Sequence, residues 1–132
     1  MTVDHYNRIT HQIINCAIEV HRHLGPGLME SVYDHCLYQE IQQAGMMVER
    51  QKQLSVFYKG QALDKEFYID QLVENEIIIE LKAVEALLPV HEAQLLTYLK
   101  LSEKKIGLLI NFNVLFLKQG ICRKINSNLN HL

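Results

Sequence analysis

The 132-residue sequence has little cysteine, and what it has is poorly placed for cross-linking. Cys16, Cys36 and Cys122 are odd in number and form no CxxC pair, which argues against a zinc knuckle or a disulfide framework. Reduced, buried thiols in a cytoplasmic protein are the expectation. No stretch approaches the ~18 consecutive apolar residues of a membrane span, and Met1 to Thr10 lacks an apolar signal core, so neither secretion nor a membrane is expected. A surplus of positive charge is also missing. The formal net charge is −2, which speaks against coating nucleic acid by charge alone but not against docking through a local basic patch and a bound cation. Repeats, low-complexity tracts and linkers are absent. With 48% hydrophobic residues, the chain can build a core and is expected to form one domain over 1–132.

What is present begins with Ile9, Ile13, Ile14, Ala17, Ile18 and Leu24 at helical spacing. Gly25-Pro26-Gly27 stops that helix. A second helix is expected to turn Leu28, Val32, Leu37 and Ile41 inward and to stop at Gly45. The pattern then becomes strand-like. Leu54 to Tyr58, Lys65 to Val73 and Ile77 to Ala83 read as strands, with turns at Lys59-Gly60-Gln61 and Glu74-Asn75-Glu76. After Pro89 a third helix is expected, with Val90, Ala93, Leu96 and Leu99 on one side. Ile106 to Phe112 reads as a strand covered on both faces, and Val114–Leu117 with Ile121–Ile125 as a closing hairpin. The order α-α-β-β-β-α-β-β-β predicts an α/β fold with one mixed sheet flanked by helices.

Pairing the two strands symmetrically about Asn75 sets Asp70 opposite Glu80 and residue 68 opposite Lys82. Glu80, Lys82 and Asp70 then share a face, while Ile77, Ile79 and Leu81 supply core. Opposed carboxylates repel, and a divalent cation offsets that cost; hard oxygen ligands suit magnesium or manganese. Acidic residues beside a lysine are also common on solvated strands, and Glu-x-Lys is a weak signal taken alone. Yet Glu80 lies in the apolar run Ile77-Ile78-Ile79-Glu80-Leu81, where a carboxylate needs a partner or an ion. His91, Gln94 and Tyr98, spaced i, i+3, i+7, share a helix face near the end of that strand. Glu30, in the first turn of its helix, also suits the helix dipole.

Further motifs accompany these residues: Ala17-Ile18-Glu19-Val20-His21-Arg22, Leu24-Gly25-Pro26-Gly27, Glu30-Ser31-Val32-Tyr33, Glu80-Leu81-Lys82-Ala83-Val84, His91 to Leu99, and Gly107 to Asn113. Together, from about Ile9 to Ile125, they resemble the GxxExxxR protein family of the PD-(D/E)xK nuclease superfamily. The resemblance implies a restriction-endonuclease-like core and a Mg2+- or Mn2+-dependent nuclease. It implies that Asp70 and Glu80 are metal ligands, with the Leu81 carbonyl a further candidate, and that Glu30 reaches the metal directly or through water. It implies that Lys82 activates water and offsets phosphate charge, and that Gln94 and Tyr98 support the site and the phosphate backbone. The sequence departs from the family pattern at position 34, where Asp stands for the named arginine, and at Tyr68, where an arginine is frequent. Both changes remove positive charge near the phosphate path, and so bear on substrate affinity more than on metal binding.

The expected activity is phosphodiester hydrolysis, with DNA as the expected partner. Arg50, Lys52, Lys59, Lys104, Lys105, Lys118, Arg123 and Lys124 are candidates for a docking surface, and each could equally be an ordinary solvated charge. A homodimer would reach both strands of a duplex. The competing reading is a catalytically silent module of the same fold that binds nucleic acid or a protein partner. His21 and His23 receive no role.

Overall fold

The computed structural model describes residues 2–127. Thr2 caps the first helix, α1 (Val3–Leu24), by accepting the His5 N–H at 3.1 Å. The helix buries Tyr6, Ile9, Ile13, Ala17 and Val20, the expected stripe extended one turn toward the N-terminus. Gly25 and Gly27 take φ of 69° and 99°, a region that glycine enters without strain. The Tyr33 hydroxyl braces this break, donating to the Gly25 carbonyl and accepting from the Leu28 N–H. Its ring stacks on Phe112 at 4.6 Å.

That stack fixes the rotation of α2 (Glu30–Gln43), so its buried face is Tyr33, Asp34, Leu37 and Ile41. Leu28 and Val32, expected inward, are exposed. The same correction applies to α3 (Pro89–Ser102): Leu95 and Leu99 are buried, while Val90 and Ala93 face outward. The helix docks Leu95 against Gly107, where an added Cβ would lie 2.7 Å from Leu95 Cδ1, so α3 rolls until that leucine meets the glycine gap.

Five strands, β1 (Val48–Tyr58), β2 (Gln61–Val73), β3 (Ile77–Lys82), β4 (Ile106–Asn111) and β5 (Ile121–Ile125), form one mixed sheet in sequence order. Neighbours are antiparallel except β3 and β4, which run parallel with α3 as their crossover. One face packs Ile77, Ile79, Leu81, Leu108 and Ile110 under α1 and α2; the other packs Ile78, Leu109 and Leu72 under α3. Every residue of β4 is buried, as its apolar run requires. The α/β class and element order are those expected, with one correction. Val114–Leu117 is not a strand: the chain bends there and enters a short 3-10 helix, Leu117–Gly120. His21 Nε2 lies 2.7 Å from the Val114 carbonyl, and so occupies a group a strand would pair in the sheet. Among the described residues no helix is long and apolar enough to cross a membrane. The three cysteines are free, with Cys16 buried and Cys36 and Cys122 half-buried rather than buried.

Candidate functional site

The β2–β3 turn places both Glu74 and Asn75 at positive φ, 53° and 55°, and pairs Val73 with Ile77, Leu72 with Ile78 and Gln71 with Ile79. This is the register expected from symmetry about Asn75, and it points Asp70 at Glu80. The regular ladder stops one step short of that pair. In its place the Asp70 carboxylate accepts the Leu81 N–H at 2.7 Å, and Glu80 Oε1 accepts the Asp70 N–H at 3.3 Å. Two side chains thus accept backbone N–H groups where the ladder ends.

The sheet is broken on the other side of Asp70 as well. Arg50 pairs with Gln71 and Lys52 with Ile69, but Gln51, opposite Asp70, drops out of the register with φ of 49°. Ile69 and Leu72, three residues apart, pack in the same α3-side cluster, so side-chain alternation fails between them. The register is the same on both sides of this gap, so it is a skipped pair rather than an inserted residue. Asp70 is thereby released toward an open hollow of about 450 Å3, lined also by Glu30, Ser31, Asp34, Arg50 and Gln51.

Glu80 is 6% exposed. Burial, then repulsion and hydrogen bonding from Asp70, push its carboxyl up to about 9, and Lys82 offsets part of this. Glu30, at the exposed rim of the hollow, is raised by partial burial and by Asp70, with Asp34 adding and Lys82 opposing. The Tyr98 phenol is raised by burial, then by Glu80 and Asp70. Asp70, from β2, is therefore within electrostatic reach of Glu30 on α2, Glu80 on β3 and Tyr98 on α3, and Lys82 is within reach of Glu30 and Glu80.

Gln94 stands exposed on α3, one turn before Tyr98, with no hydrogen bond to the site among the described residues. His91 is used locally: its Nδ1 accepts the Leu88 N–H at 3.0 Å and closes the start of α3. His21 and His23 are occupied elsewhere, at Val114 and Glu19.

Sequence reasoning missed three contacts: Phe67 on Tyr98, and Arg50 and Gln71 on Asp34. Phe67 stacks on Tyr98 at 4.7 Å and fixes that phenol. Asp34, which stands where the family pattern has an arginine, accepts Arg50 Nε and Nη2 at 3.0 and 2.8 Å on one oxygen and the buried Gln71 amide at 2.9 Å on the other. A cation thus lines the hollow beside Asp70 after all, brought by β1 rather than by α2. The signal available was a buried acid on a helix face, which demands a partner but does not name it. The other basic candidates divide. Lys105 is buried with its ammonium on the Asn126 carbonyl, while Lys124, Lys52 and Arg123 bond Glu92, Glu49 and Asn7.

Among the described residues, no group of three or more His, Cys, Asp or Glu side chains is close enough to enclose a metal ion by itself. The donors nonetheless fit magnesium or manganese. Such ions keep several waters and use one or two protein carboxylates together with substrate phosphate, and the raised Glu80 carboxyl beside Asp70 is relieved by a cation. No curated protein and no solved structure matches the chain. Residues 7–124, which carry all these features, match the family model of the PD-(D/E)XK nuclease superfamily, and the chain belongs to that superfamily.

Proposed function

We propose that this protein is a metal-dependent nuclease that hydrolyses phosphodiester bonds in DNA, of the GxxExxxR group of its superfamily. The observation that carries this reading is the pairing of half-buried Asp70 with buried Glu80, with Lys82 and Glu30 beside it at a break in the sheet. Asp70 and Glu80 would hold a magnesium or manganese ion, with Glu30 reaching it through water; such an ion, when bound, polarises the scissile phosphate and acidifies an attacking water. Lys82 steers that water and offsets charge developing on the phosphate. Tyr98, fixed by Phe67, and Gln94 on the same helix support the site and meet the phosphate backbone. Two copies acting as a homodimer would reach both strands of a duplex. Free thiols and a DNA substrate fit the cytoplasm.

A second reading, a silent binding module of the same fold, is favoured by one observation. The Asp70 and Glu80 carboxyls already accept backbone N–H groups and can serve the fold without chemistry. Incubating the protein with linear, single-stranded and branched DNA in Mn2+, in Mg2+ and in EDTA separates the two. Metal-dependent cleavage that is lost in Glu80→Gln supports the nuclease; binding without cleavage across the panel supports the module.

A further inference from the structure

Arg50 projects from β1 into the hollow that also receives Glu30 and Asp70. A guanidinium carries five N–H donors. Nε and Nη2 of Arg50 donate to Asp34 Oδ2 at 3.0 and 2.8 Å, both to one oxygen. The remaining N–H groups, including both on Nη1, meet no acceptor among the described residues. The side chain is 36% exposed, so those donors are open to solvent or a ligand.

The guanidinium is held on several sides. Asp34 fixes one edge and the Tyr38 ring lies beneath at 5.1 Å to the centroid. Asp34 is itself fixed: the Nε2 of fully buried Gln71 donates to its Oδ1 and to its backbone carbonyl, each at 2.9 Å. Gln71 is also the cross-strand partner of Arg50. An arginine held this way loses little conformational freedom when an anion arrives, which suits tight, oriented binding. The start of α2 adds to the same wall. Its N-cap, Met29, makes no side-chain cap, and Met29, Glu30 and Ser31 line the hollow with Arg50, so the positive end of the helix borders the same hollow.

We propose that Arg50, set by Asp34 and Tyr38, forms an anion subsite that grips a backbone phosphate next to the one hydrolysed. The inference rests on the nucleic-acid reading above. The hollow otherwise carries Glu30, Asp34 and Asp70, which repel a polyanion. Asp34 is neutralised by the Arg50 pair, and the unpaired edge of the same guanidinium presents donors to the incoming phosphate. Arg50 thus solves a local charge problem that the net charge of −2 leaves open.

The test measures fluorescence anisotropy of a labelled duplex with the full chain in EDTA, across a salt series, for the parent, Arg50→Gln and Arg50→Lys. The subsite needs no metal, so the parent binds. Arg50→Gln should bind roughly tenfold more weakly or worse, with the slope of log affinity against log salt smaller by about 0.9. Arg50→Lys keeps the charge but loses the fork, and should weaken binding while holding the salt slope. If Arg50→Gln does not fold, the lysine variant carries the test alone. In Mn2+, an active parent gives a second readout, a rise in KM larger than the fall in kcat. A merely structural clamp would lower the melting temperature and leave Kd and salt slope at parent values, and that result overturns the subsite. Cleavage by the parent in Mn2+ would then leave the nuclease reading standing. Weaker binding by Arg50→Gln in a protein that never cleaves would instead support the subsite and move the function to the binding module. A parent that binds no DNA in EDTA overturns the subsite, and cleavage alone then decides the nuclease reading.

Discussion

Asp70 and Glu80 exchange contacts across the end of the β2–β3 ladder: Glu80 accepts the Asp70 N–H at 3.3 Å, and Asp70 accepts the Leu81 N–H at 2.7 Å. Each carboxyl occupies a backbone donor that would otherwise be orphaned where the strands part. Fold and site share these atoms, so variants that keep their shape are the informative ones.

Glu80→Gln retains an acceptor oxygen for the Asp70 N–H and resembles the protonated acid that burial favours at neutral pH. Its melting temperature at pH 7 should stay within a few degrees of the parent. Calorimetric titration with Mn2+ should show binding in the parent and none in Glu80→Gln or Asp70→Asn. Parent-like Mn2+ binding by either variant would remove that residue from the ligand set.

The pH dependence follows from the raised Glu80 carboxyl. In the unfolded chain it ionises near its ordinary 4.5; in the folded chain it keeps its proton to about 9. Its contribution to stability is therefore fully present below 4.5 and is lost as pH rises toward about 9. Melting curves between pH 6 and 9.5 should fall more steeply for the metal-free parent than for Glu80→Gln. A cation competes with that proton. Mn2+ affinity should rise with pH toward 9, and binding at pH 7 should release about one proton per ion. Calorimetry in two buffers of different ionisation enthalpy measures that proton directly.

Lys82 opposes the raising of both the Glu30 and Glu80 carboxyls, so its charge lies near both, and the proposed nuclease would use it to offset charge developing on the phosphate. Lys82→Ala should reduce cleavage by roughly 10²–10³ in kcat, while Mn2+ affinity changes far less. Cleavage at the parent rate would discard the role given to this lysine. Parallel calorimetry and single-turnover assays on one preparation separate the two effects.

The geometry of the candidate carboxylate pair was legible because a tight turn sets a hairpin register, and symmetry about Asn75 brought Asp70 to Glu80. A carboxylate inside Ile77–Leu81 likewise announced itself by its apolar neighbours. Which way each helix rolls was not legible. Val32 and Tyr33 are both plausible core residues, and the Phe112 stack, distant in sequence, decides between them. The same holds for Val114, whose strand-like composition gives way to a carbonyl contact with His21. The skipped pair at Gln51 had no sequence signal, since glutamine is not a residue that favours positive φ. Asp34 looked like a lost charge because its partner, Arg50, lies on another element.

That partnership makes Asp34 a sensitive position outside the carboxylate pair. Its side chain is 11% exposed and accepts from both Arg50 and the fully buried Gln71 amide. Asp34→Ala would remove an acceptor from Gln71, whose Oε1 already lacks a hydrogen-bond partner among the described residues, and would leave the Arg50 guanidinium unmatched at a half-buried site. The loss should be about 2–3 kcal/mol in denaturant unfolding. Asp34→Asn keeps one acceptor but turns an amide toward either Arg50 or Gln71, so it should recover part of that loss and no more. Asp34→Ala combined with Arg50→Ala removes both members of the pair, and should cost less than the sum of the two single changes. Strict additivity would mean that the ion pair contributes nothing beyond its separate parts, and the positioning of Arg50 would then rest on Tyr38 alone.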